Sequence, residues 1–152
     1  MHEADTNAHQ LTGFPEAASA FVSAFEANQR KLAVEAGLTG TELRALFRVA
    51  HVVSITPKAL AAHLGLTTGA ITAISRHLVE VGLFHRVDHP DDRRSLFLEL
   101  TPRGHDLMNQ LLGDFYDMLA ASTTSLSGAE LAVFTDSLTA VAAEVTARIG
   151  GT

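Results

Sequence analysis

The chain has 152 residues, 47% apolar and 18% charged, enough to bury roughly two thirds of its unfolded surface as one globular domain. It has no cysteine, which excludes a disulfide framework, a thiolate metal site, a cysteine nucleophile and thiol-based peroxide sensing. The net charge of −6 argues against wholesale nucleic-acid binding, yet residues 44–103 carry eight basic and five acidic groups while both flanks are acidic.

That basic middle also holds five of the eight histidines, which gain positive charge where a polyanion lies close. No apolar run approaches the roughly 20 residues needed to cross a bilayer, and the opening residues lack the basic-then-apolar order of a signal peptide. A cytoplasmic protein with no membrane partner is expected.

Residues 1–13 are polar and without helical period, and predict a flexible arm. From Pro15, Ala18, Phe21, Val22, Phe25, Leu32, Ala33 and Ala36 recur at helical spacing up to Gly37, a suitable C-cap. Thr39 with Glu42 forms a capping box, and Leu43, Leu46, Phe47 and Ala50 make the stripe of a second helix. Thr56-Pro57 starts a third helix, which runs to Leu64. Gly65 closes it, and Thr67 or Thr68 opens a fourth whose Ile71, Ile74, Leu78 and Val81 face inward until Gly82. Two short helices joined through Gly65, Leu66 and Thr67 are the sequence form of a helix-turn-helix.

After Gly82 the period becomes two. Leu83, His85 and Val87 alternate with Phe84, Arg86 and Asp88, and Leu96, Leu98 and Leu100 with Phe97 and Glu99. Between these strands lies the charged loop His89-Pro90-Asp91-Asp92-Arg93-Arg94, so the hairpin reads as a wing. Thr101-Pro102 starts a long helix with Leu107, Met108, Leu111, Leu112, Phe115 and Leu119 on one face. Ser127 with Glu130 starts the last helix, whose stripe is Leu131, Phe134, Leu138, Val141, Val145 and Ile149.

The expected fold is mainly α with a small β-hairpin wing (α+β). A winged helix-turn-helix over 38–101 is flanked by apolar helices at 14–37 and 102–150, within one structural domain, 14–150. Flanking helices this apolar need a surface to cover them, and a second copy of the chain supplies one, so a homodimer is expected.

On the fourth helix, Gly69, Thr72, Ala73 and Arg76 point outward together. The small residues let the backbone approach a partner, Thr72 offers hydroxyl and methyl, and the Arg76 guanidinium can fork onto guanine or phosphate. On the wing, Arg93 and Arg94 sit at the loop tip with Arg86 behind them, and Asp91 or Asp92 is placed to orient a guanidinium for a narrow minor groove.

Taken together, LTTGAITAISRHLVEVGL (66–83), the wing HPDDRRS and the following LELTPRG resemble the winged helix-turn-helix core of the MarR family of bacterial transcriptional regulators. The resemblance spans roughly residues 14–149. It implies a homodimer on a pseudo-palindromic operator in double-stranded DNA, with the fourth helix of each copy in a major groove. Thr67, Thr68, Thr72 and Arg76 would contact groove or phosphate, Arg94 would enter the minor groove, and Asp92 and Arg93 would brace it. It also implies release by a small aromatic or phenolic ligand in a cleft near Phe21, Phe25, Phe47 and His51. Ala73 stands where many members have arginine, and Arg76-His77 where an Asp-Arg pair is common; both departures bear on the operator sequence.

Three rival readings differ in chemistry. A metal-responsive regulator of the same fold would use His105-Asp106 or His85 with His89, but no H-E-x-x-H or comparable cluster is present, so no metal site is expected. An enzyme would require Ser75 with His77, or Ser19 with His51, yet no G-x-S-x-G elbow, phosphate-cradling loop or dinucleotide fingerprint occurs, so neither catalytic residues nor a cofactor are expected. A protein-binding winged helix without DNA would suit the negative net charge but not the basic middle and arginine wing.

Overall fold

A computed structural model describes residues 11–89, 91 and 95–150. The chain divides between Met108 and Asn109 into two compact units. In the first, α1 (Phe14–Glu35) and α2 (Gly40–Val52) precede a short strand β1 (Ser54–Ile55); then come α3 (Pro57–Leu64), α4 (Thr68–Glu80) and the hairpin β2 (Phe84–Asp88) and β3 (Leu96–Leu100). The helix α5 (Pro102–Ser122) begins there and continues into the second unit, which ends with α6 (Gly128–Gly150). Of the expected N-terminal arm, residues 1–10 lie outside the described residues.

The local signals position the helices as expected. Thr39 and Glu42 complete the capping box of α2: the Thr39 amide donates to Glu42 Oε2 at 2.8 Å and the Glu42 amide to Thr39 Oγ1 at 3.2 Å. Thr56 caps α3, and of the two candidate starts for α4 it is Thr67 that caps, accepting from the Ala70 amide at 3.2 Å. Gly65 ends α3 with φ 67° and ψ 36°, a left-handed conformation that a Cβ would penalise, and so turns the chain from α3 into α4.

The core of the first unit is built from Leu43, Ala45, Leu46 and Val49 of α2, Leu60, Ala61 and Leu64 of α3, Ile71 and Leu78 of α4, and Leu98 and Leu100 of β3. Expected inward positions on two helices are corrected. On α4, Ser75 is buried and Ile74 only half-buried, because Ser75 lies within about 40° of Ile71 around the helix and Ile74 about 60° away. Its hydroxyl is satisfied by donating to the Thr72 carbonyl at 3.2 Å. On α2, Phe47 and Ala50 are half-buried, and Ala45 and Val49 take the core.

Strand β1, which the sequence reading did not identify, pairs antiparallel with β3 through Ser54 opposite Glu99 and Ile55 opposite Leu98. The sheet order is therefore β1-β3-β2, with β3 central. The two-residue alternation expected in β2 is broken: Leu83, just before the strand, and Phe84 are both buried, while His85 and Arg86 are exposed.

Strand β3 leads into α5 through Thr101. Its hydroxyl donates to the Gly82 carbonyl at 2.6 Å and accepts from the Gly104 amide at 3.0 Å, while the Thr101 amide donates to the Leu83 carbonyl at 3.0 Å. Gly104 is buried against Leu100 and the Leu83 carbonyl. In the second unit, α6 starts at a Ser127–Glu130 box, and its apolar stripe, from Leu131 and Phe134 to Ile149, is exposed along its whole length. No helix among the described residues is long and apolar enough to cross a membrane.

Candidate nucleic-acid interface

The α4 helix turns Thr68, Gly69, Thr72, Ala73 and Arg76 to solvent, with Thr67 exposed at its cap. A Cβ built on Gly69 meets nothing within 4 Å, so nothing in this fold crowds the position and the space above it is open. The cap uses one acceptor site of the Thr67 hydroxyl and leaves its proton to donate outward. The Thr72 hydroxyl donates instead to the Thr68 carbonyl at 2.8 Å, so Thr72 presents an acceptor oxygen and a methyl group. Arg76 reaches Glu80 Oε1 at 3.8 Å with both side chains more than 60% exposed, a loose surface pair that an anion could displace at little cost.

One contact that holds α4 was missed by the sequence reading. His77 Nδ1 lies 2.6 Å from Glu42 Oε1, so the carboxylate that caps α2 with one oxygen ties α4 to it with the other. Burial raises the Glu42 pKa, but the Thr39 amide, His77 and the Thr39 hydroxyl together outweigh it and leave the group below its ordinary value. The i,i+3 box placed Glu42 from sequence; its second oxygen and a partner 35 residues away had no local signature.

Arg86 is exposed on β2, opposite Leu98. The base of the wing is braced by His89 stacked on Phe97, ring centroids 4.4 Å apart, and by the His89 amide donating to the Ser95 carbonyl at 3.3 Å. Asp92, Arg93 and Arg94 lie outside the described residues. His85 meets Glu99 across the strands at 3.7 Å, and no group of three His, Asp or Glu side chains among the described residues could hold a metal ion.

The expected ligand residues separate. Phe47 and His51 line one cleft, with Gln29, Arg44, Arg48, His63 and Leu64. Phe21 and Phe25 are not part of it; they stack on each other along α1 with centroids 6.4 Å apart. They lie four apart in sequence, which places them side by side on their own helix.

Residues 38–96 match the model of the MarR family. Solved structures of similar fold include a MarR family protein from Bacillus stearothermophilus, TM-score 0.78 at 18% identity, covering 87% of this chain and 92% of that one. The transcriptional regulator Tm0710 from Thermotoga maritima gives 0.72 at 19% identity, covering 90% and 96%. Wild-type MarR from E. coli in its apo form gives 0.67 at 22%, covering 87% and 98%. No curated protein matches the sequence.

Proposed function

We propose that this chain, whose residues 38–96 carry the MarR-family winged helix-turn-helix, is a sequence-specific DNA-binding transcriptional repressor acting in the cytoplasm as a homodimer on a pseudo-palindromic operator. The observation that carries the reading is the outer face of α4, where small residues with open space above them alternate with Thr68, Thr72 and Arg76 inside the basic part of the chain. The division of labour follows from chemistry. Thr67, Thr68 and Arg76 hold phosphates or base edges, Gly69 and Ala73 let the α4 backbone approach, and Thr72 turns its methyl and acceptor toward the bases. On the wing, Arg94 enters the minor groove, Asp92 and Arg93 orient or brace it, and Arg86 stands behind them.

Residues 38–101 then form the DNA-binding region, and 14–37 with 102–150 supply the dimer helices; the exposed stripe of α6 supports that assignment. A small aromatic or phenolic ligand would release the DNA, and the cleft holding Phe47 and His51 is the place for it. Fluorescence anisotropy on labelled DNA from upstream of its own gene, with scrambled competitor across a salt series, tests the reading. One dimer per site with affinity falling steeply with salt is expected. Equal affinity for scrambled DNA at every salt concentration would remove the sequence-specific regulator from consideration.

A further inference from the structure

Most polar side chains of α4 bond within their own helix. The Thr67, Thr72 and Ser75 hydroxyls meet the backbone of the cap or of α4 itself, and Arg76 pairs with Glu80. His77 differs, because its Nδ1 reaches Glu42 Oε1 on α2 at 2.6 Å. The Glu42 side chain is 9% exposed and that of His77 43%, so solvent screens this pair less than it screens Arg76 with Glu80. The carboxylate is also fixed in place, since its second oxygen accepts from the Thr39 amide. Helix α4 packs against α2, α3 and β2. Of the charged and titratable groups on those elements, Arg44, Arg48 and His51 of α2 gather with His63 of α3 at the cleft, and His85 of β2 turns to Glu99. Lys58 of α3 and Arg86 and Asp88 of β2 form no ion pair among the described residues. Glu42 is the carboxylate in contact with His77.

We infer that His77 is a positioning residue for α4: its positive charge, acting through Glu42, locks the helix to α2, and losing that charge as pH rises loosens it and weakens DNA binding. The pair carries two charges only where the carboxyl has lost its proton and the imidazole has kept one. Burial raises the Glu42 pKa, yet its bonds to Thr39 and His77 bring it below the ordinary value, so the carboxylate is charged throughout the histidine range. Histidine ordinarily changes charge between about pH 5 and 8. The ion pair is therefore complete at the acid end of that window and reduced at the alkaline end to a hydrogen bond from a neutral ring. Only the consequence for DNA rests on the regulator proposed above.

The test uses the full chain at constant ionic strength. Without DNA, urea unfolding of the wild type, His77→Gln, Glu42→Gln and the double variant at about pH 6 and about pH 8 measures the coupling of the two side chains. Glutamine at position 42 keeps a capping oxygen for α2, so the variants retain that helix. At the lower pH, His77→Gln should reduce the folding equilibrium constant at least about tenfold more with Glu42 present than with it replaced, and at the higher pH no more than about threefold more. With DNA from upstream of the gene, anisotropy follows the same proteins. Wild-type affinity should fall between the two pH values at least about threefold further than that of either single variant, the other histidines contributing alike to all. His77→Arg, whose charge is permanent, should lose that extra fall while keeping the acid-end affinity. Coupling that is absent, or equal at both pH values, overturns the inference. So does a Glu42→Gln protein with the full wild-type fall, which would place the His77 charge directly on phosphate. Coupling that follows pH in a protein with no preference over scrambled DNA leaves the His77–Glu42 lock standing and removes the regulator.

Discussion

At Gly69 the requirements of folding and of recognition point in opposite directions. Its backbone is helical and its surroundings are open, so Gly69→Ala should stabilise the protein by up to about 1 kcal/mol, because alanine loses less chain entropy in a helix. The same methyl stands on the face assigned to the groove, so specific DNA affinity should fall by about tenfold if the α4 backbone approaches the bases closely. Paired thermal melts and anisotropy titrations read both; unchanged affinity would move the contact off this part of α4. Glu42 carries a different prediction. Its folded pKa lies below the ordinary glutamate value, so its charged form adds stability that is present above the unfolded pKa and lost as pH falls through the folded one. Glu42→Gln should therefore cost about 1–2 kcal/mol at neutral pH, and the difference should close under acid conditions where the wild-type carboxyl is protonated. Urea unfolding of both proteins at neutral and acidic pH measures it, and a difference independent of pH would assign the effect to packing.

Among the elements, the junction from β3 to α5 shows why a short sequence string can be so specific. Leu100 fills the core, Thr101 ties Gly82 to the start of α5, Pro102 occupies a helix position needing no donor, and Gly104 lies where a Cβ would collide with the Leu83 carbonyl oxygen. Backbone, unlike a side-chain tip, cannot swing aside. Gly104→Ala should destabilise the protein by about 1–3 kcal/mol, read as a lower urea midpoint with an unchanged slope. The caps at Thr39, Thr56 and Ser127 were legible because donor and acceptor lie three residues apart, and i,i+3 geometry is fixed by the helix itself. Strand β1 was not legible: two residues carry no period, and it exists only because β3 offers its second edge. Phe84 escaped the alternation for a related reason, since what it faces is set by neighbours distant in sequence.

For the whole molecule, the outstanding feature is α6, whose Leu131, Phe134, Leu138, Val141 and Val145 are all more than a third exposed in a single chain. A stripe of that size on an isolated chain would favour aggregation, and covering it with the same helix of a second copy gives a closed two-fold interface. Leu138→Glu should convert a dimer into a monomer in sedimentation equilibrium and lower operator affinity by at least about tenfold, because the two half-sites would no longer be held together. A wild-type chain that is already monomeric at micromolar concentration would refute the dimer.

The sequence alone determined the helix starts and stops, the helix-turn-helix joint and the hairpin, because caps, glycines and hydrophobic period act between residues a few positions apart. It also marked the outer face of α4, since a helix wheel follows from spacing alone. Only the tertiary structure decided that β1 joins the sheet, that Glu42 and His77 meet across 35 residues, and that Phe47 and His51 belong with Arg44, Arg48 and His63 instead of Phe21 and Phe25. Those pairings depend on how separate elements lie against one another, and no local pattern encodes a contact whose partner sits on another helix.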